Sequence, residues 1–149
     1  MLRLHGIIGH EDDHAYHARL HALEHRDGIE LLFVPPEEAG RKRFRLLSDR
    51  GTDCAVSLER GEELRDGALL YIDDSRGIVV RFGQQAIWRL RPANEAVALR
   101  LGWNAGNLHW RVRFEDGCLA ILLDGPLGEY RDRLAHLLAE GGIVDLGDV

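Results

Sequence analysis

Hydrophobic patterning over residues 86–146 falls in the order strand, helix, strand, strand, helix, strand, and this order constrains the fold more than any other feature of the 149-residue chain. AIWRLR (86–91) is a strand ended by Pro92. Asn94 is a good helix N-cap, with Glu95 in the first turn and apolar Ala96, Val97, Leu99 and Trp103 behind it. The helix should stop near Gly106-Asn107, because glycine and asparagine tolerate a left-handed C-terminal position. WRVRF (110–114) alternates strictly, Glu115-Asp116-Gly117 turns the chain, and CLAILL (118–123) returns as a hairpin. A second helix is expected through Tyr130, Leu134, Leu137 and Leu138, before GIVDL (142–146) closes the series. This is the ferredoxin-like split βαβ arrangement.

The first half has a different rhythm. LRLHGII (2–8) reads as a strand, and residues 13–26 turn helical, with Tyr16, Leu20 and Leu23 as a narrow apolar stripe. IELLFV (29–34), KRFRLLS (42–48), TDCAVSL (52–58), ALLYI (68–72) and GIVVRFG (77–83) follow as short strands divided by Pro35-Pro36, Asp66-Gly67 and Arg76-Gly77. The expected class is α+β, with a small all-β domain over residues 1–84 and a ferredoxin-like βαββαβ domain over 85–149.

Charge and composition narrow the function. Net charge is −6 with histidines neutral, which argues against a nucleic-acid or anionic-membrane surface, and the basic group Arg41, Lys42, Arg43 and Arg45 reads as a solvated strand face. No apolar stretch approaches a membrane span and no signal peptide opens the chain, so a cytoplasmic location is expected. Cys54 and Cys118 lack C-x-x-C spacing and signal neither a disulfide framework nor a cysteine zinc site.

HEDDH (10–14) matches the H-E-x-x-H zinc-peptidase pattern. That chemistry needs both histidines one turn apart on a helix, a third ligand and an open coordination position. Here the pattern sits where a helix is only beginning, Asp12 and Asp13 favour a helix start, and no third-ligand continuation follows. Six of the eight histidines lie between residues 5 and 25, so the match reflects local histidine density. His10, His14, His17, His21 and His25 nevertheless step by four, three, four and four. On one helix they would fall within an arc of roughly 80°. Such a stripe either captures Ni²⁺, Cu²⁺ or Zn²⁺ through i,i+4 imidazoles or is a polar solvent face built from histidine.

LRLGWNAGNLHWRVRF (99–114) resembles the urease accessory protein UreE family, whose helix ends in a G-N-x-H signature leading into a strand; Gly106, Asn107 and His109 match it. IIGHEDD (7–13) and KRFRLLSDRGTDCAVSLERGEELRDGALL (42–70) also resemble family segments, so the likeness covers nearly the whole chain. The resemblance implies a nickel-binding metallochaperone of urease maturation rather than an enzyme. Its N-terminal domain would bind peptides, and its C-terminal domain would bind metal and form a homodimer, with His109 of both protomers meeting at the interface. Partners implied are the urease maturation GTPase and the urease accessory complex. Imidazole suits Ni²⁺ but also accepts Zn²⁺ or Cu²⁺. Read without the family, His109 is equally a histidine whose charged form is favoured at a helix C-terminus.

The chain departs from the family pattern at Asn104, Leu108 and Gly125, and its GIVDLGDV ending lacks a histidine-rich tail. Asp124 remains as an oxygen-ligand candidate, and the N-terminal histidines are candidates for the collecting role of such a tail. The alternative function is a urease-maturation interaction scaffold with metal binding weakened or lost.

Overall fold

In the computed structural model, which describes residues 1–149, the first unit spans Met1–Gln84 and the second Gln85–Val149. The first contains β1 (Leu2–Leu4), β2 (Gly9–His10), α1 (His14–His25), β3 (Ile29–Val34), α2 (Pro36–Ala39), β4 (Arg43–Leu47), β5 (Asp53–Ser57), β6 (Ala68–Ile72) and β7 (Gly77–Phe82). Two sheets form, in the orders β1-β5-β4 and β2-β6-β7-β3; β1 runs parallel to β5 and β3 parallel to β7.

The unbroken apolar run of β3 from Leu31 to Val34 has a direct cause. Leu32 and Val34 enter the core shared by both sheets, beside Phe44, Val56, Leu70 and Val80. Leu31 points to the opposite face, where it packs with Leu69 and Val79 beneath Tyr16 and Leu20 of α1. A strand buried on both faces loses the alternation of a half-exposed one. This unit is therefore three layers, not all-β: the 12-residue α1 closes the outer face of the second sheet, and Leu23 is its buried residue. The expected first strand is also two shorter ones, β1 in one sheet and β2 in the other, divided at His5–Ile8 where Gly6 takes a φ of 119°. A left-handed turn of this kind costs little only without a Cβ.

The second unit contains β8 (Ile87–Pro92), α3 (Glu95–Asn107), β9 (Val112–Glu115), β10 (Cys118–Leu122), α4 (Leu127–Arg133), α5 (Ala135–Glu140) and β11 (Ile143–Asp148). Its sheet has the order β11-β8-β10-β9 with every neighbour antiparallel. Trp88 faces Ile121 and Leu90 faces Leu119 across β8 and β10, and their inward side chains pack on Leu101, Ala105, Leu134 and Leu137. Asn94 caps α3 as its pattern suggests, its side chain accepting from the Val97 amide at 3.0 Å.

Two expectations for this unit need correction. The second helix is broken at Leu134, whose backbone (φ −103°, ψ 7°) leaves helical geometry while its side chain is fully buried, giving α4 and α5. On α3, the core face is Leu101 and Ala105, whereas Leu99 and Trp103 are 75% and 68% exposed. No helix is long and apolar enough to cross a membrane.

Candidate metal site

The end of α3 determines where His109 stands. The Leu108 amide donates to the Asn104 carbonyl, the His109 amide to Gly106 and the Trp110 amide to Ala105, each at 3.0 Å. The last two bonds, one reaching back three residues and the other five, define a Schellman turn. The residue between them must be left-handed, and it is His109, at φ 56°. The expected left-handed positions, Gly106 and Asn107, remain inside the helix. Outside glycine, that conformation crowds Cβ against the backbone at a cost of about 1 kcal/mol. The turn carries the His109 side chain off the helix end into an exposed position, while Trp110 folds back onto the core beside Trp88 and Tyr130.

That aromatic chain reaches a second sequence candidate. The Trp110 and Tyr130 rings lie 4.8 Å apart, and the Tyr130 hydroxyl accepts from the Asp124 amide at 2.9 Å. The exposed loop bearing Asp124 is thus fastened to the residue that follows His109. Asn104, one of the expected departures from the family pattern, donates its side-chain amide to the Arg100 carbonyl at 2.8 Å. No group of three or more His, Cys, Asp or Glu side chains within one chain converges on a point where a metal ion could sit.

The N-terminal histidines divide into separate groups. His10 belongs to β2, not to the helix, so the expected five-residue stripe loses its first member. Its Nδ1 accepts from the Asp12 amide at 3.1 Å, its Nε2 donates to the Asp66 carbonyl at 2.8 Å, and the ring lies over Gly67, where a Cβ would come within 2.6 Å of it. Both ring nitrogens are thereby committed to the fold. His14 is the first residue of α1, and Glu11 is paired with Arg81 at 2.6 Å. The H-E-x-x-H pattern therefore spans a strand end, a turn and a helix start, and its glutamate is engaged by an arginine. The helical geometry that zinc-peptidase chemistry requires is not present there.

His17, His21 and His25 do line one exposed face of α1. The rings of His17 and His21 stack with centroids 6.3 Å apart, and the Nε2 atoms of His21 and His25 approach to 3.1 Å. What sequence reading missed was the solvent-facing trio Leu99, Trp103 and Phe114, the last 85% exposed on β9. The signal existed: α3 carries apolar residues at both the Leu101/Ala105 and the Leu99/Trp103 positions, more than one core-facing stripe needs.

Residues 5–83 match the family model described as UreE urease accessory protein, N-terminal domain. The chain is 47% identical over 143 residues to urease accessory protein UreE 1 of Pseudomonas syringae pv. syringae (strain B728a), covering 96% of this chain and 98% of that protein. It is 46% identical, with the same coverage, to UreE 1 of Pseudomonas syringae pv. tomato. The urease accessory protein UreE of Natronomonas pharaonis is 28% identical over 148 residues, 95% of this chain and 69% of its own length. With a family model matched over more than half its residues and a relative aligned almost end to end, the chain belongs to the UreE family of urease accessory proteins.

Proposed function

We propose that this chain is a cytoplasmic nickel metallochaperone of urease assembly that works as a homodimer, with His109 of each protomer holding the ion between them. Family membership supports the role in urease maturation. The observation that carries the metal assignment is the exposed histidine held at a left-handed turn position, where glycine would be the cheaper residue. One imidazole is a poor site, but a two-fold axis supplies a second from the same gene. The exposed Leu99 and Trp103 on the helix that ends at His109 supply apolar surface for such a contact. In this reading the second unit is a ferredoxin-like metal-binding and dimerisation domain, and the first is a peptide-binding domain.

Two imidazoles leave most of the coordination sphere to water or to a weak oxygen donor such as Asp124. An incomplete sphere suits a protein that must surrender its cargo to the maturation GTPase and the urease accessory complex. Zn²⁺ and Cu²⁺ would compete, because affinity at nitrogen sites follows the metal rather than the biology.

Nickel titration of the wild-type chain and of His109→Ala, with mass measured by light scattering, tests the reading. The expected result is a dimer that binds one ion more than the variant does, shared between its protomers. A wild-type dimer whose nickel binding matches that of His109→Ala would instead favour the scaffold, the reading that Asn104 and Gly125 support.

A further inference from the structure

We propose that His21 and His25 form a second, self-sufficient chelating site for a divalent transition-metal ion, contained within one protomer and separate from His109. The Nε2 atoms of the two rings lie 3.1 Å apart, with ring centroids at 4.6 Å and planes crossed at 83°. Metal–imidazole bonds are about 2.0–2.1 Å long, so two such nitrogens on one ion stand about 3.0 Å apart at a right angle and about 3.4 Å at the tetrahedral angle. The separation already present falls inside that interval. Both nitrogens can hold one ion without moving the helix, once the rings turn toward it and the ring that donates the hydrogen bond carries its proton on Nδ1 instead.

The backbone is suited to the task. Residues four apart on a helix are neighbours on one face. Here that face is exposed, while the opposite side is fixed by buried Leu23 and by the packing of Leu20 and Tyr16 on the sheet. The helix end is closed just past His25, where the Arg26 and Gly28 amides both donate to the Leu23 carbonyl, at 3.1 and 2.7 Å. Ordering these two ligands therefore needs side-chain rotation only, and a chelate on a rigid element loses less entropy than one on a loop.

The same geometry sets His10 and His17 apart from the pair. His10 is off the helix with both ring nitrogens engaged. His17 stacks nearly parallel to His21, at 13°, so it lies against the pair rather than sharing its nitrogen contact. Two imidazoles favour nickel, copper or zinc over calcium or magnesium, which prefer oxygen. Exposure leaves the remaining positions to water, giving fast exchange, so the site captures ions rather than storing them.

The test uses the full-length chain in a His109→Ala background, titrated with Ni²⁺ alone by calorimetry, so that failure of the interface reading does not affect it. One ion per protomer should still bind. His21→Ala or His25→Ala should each weaken that class by at least about tenfold, since either leaves a single-toothed ligand. His17→Ala should leave it nearly unchanged, and far-UV circular dichroism of all variants should match, because the replaced side chains are exposed. Undiminished binding in His21→Ala/His25→Ala would overturn the site, and so would a loss in His17→Ala equal to that in His25→Ala.

Discussion

The Trp110 amide donates to the Ala105 carbonyl at 3.0 Å, a reach of five residues that closes the chain around His109 and holds it at φ 56°. The bond serves two ends at once. It returns Trp110 to the core and it turns the preceding side chain, His109, outward. A histidine here carries conformational strain that a glycine would not.

His109→Gly and His109→Ala should therefore part company in stability while behaving alike toward metal. Both lose the imidazole and with it the proposed interface ion. The glycine variant should be more stable than the alanine variant by about 1 kcal/mol in urea unfolding, because only alanine must place a Cβ in the left-handed region. An alanine variant as stable as the glycine one would mean that the turn is not what positions this residue.

Trp103→Glu and Leu101→Ala separate the two faces of α3. Trp103 is 68% exposed and Leu101 is buried. Replacing Trp103 should convert the proposed dimer to monomer by light scattering, while the monomer's own unfolding free energy moves by less than about 0.5 kcal/mol. Leu101→Ala should cost about 2–5 kcal/mol through the cavity it leaves. A Trp103→Glu chain that remains a dimer would place the contact elsewhere.

Asp145 gathers α4, β8 and β11 at one carboxylate. It accepts from Arg131 and from the Trp88 indole, each at 2.8 Å, and from the Gly147 amide at 2.9 Å. The Arg131 bond lowers its pKa most, partial burial opposes this, and Trp88 and Gly147 add to the lowering, bringing the pKa to about 2. An unfolded aspartate titrates near 3.9. The folded value is the lower one, so the carboxylate contributes stability above about pH 4 and loses it as pH falls toward 2. Asp145→Asn should flatten that part of the acid unfolding profile and keep an acceptor for the buried indole. Asp145→Ala should cost about 1–3 kcal/mol more at neutral pH, because the Trp88 N–H is orphaned.

Cys54 is buried between the sheets of the first unit, and burial, followed by the nearby Glu30 carboxylate, pushes its thiol up to about 11. Thiolate is the reactive form. At pH 8 the native chain should leave Cys54 unmodified by Ellman's reagent, and denaturant should release it. Labelling at the same rate in both states would show that the core opens on the timescale of the assay.

Strand positions were legible because turn residues divide them: Pro35-Pro36 follows IELLFV, Asp66-Gly67 precedes ALLYI, and Arg76-Gly77 separates ALLYI from IVVRF. The break at Leu134 was not, since the apolar spacing of Tyr130, Leu134, Leu137 and Leu138 suits one continuous helix. His10 was misplaced for a related reason: i,i+4 spacing says nothing about where a helix begins, and contacts with Asp12, Asp66 and Gly67 decided it. At the candidate site, the signature named His109, but its backbone state depends on bonds to Ala105 and Gly106 that spacing does not encode. The surplus of apolar residues on α3 signals that one stripe stays uncovered, but which stripe it is was beyond reach until the sheet showed that Leu101 and Ala105 face it and Trp103 does not.

Helix α1 is the roof over Leu31, Leu69 and Val79, so whatever stiffens it also seals the sheet below. An ion clasped by two of its side chains would act as a rivet through that roof. Heating in the presence of nickel should accordingly delay melting of the first unit through the histidines of α1, by mass action on the native form. Any delay transmitted through His109 would belong to the other unit, and the order in which the two come apart would reveal where the metal went.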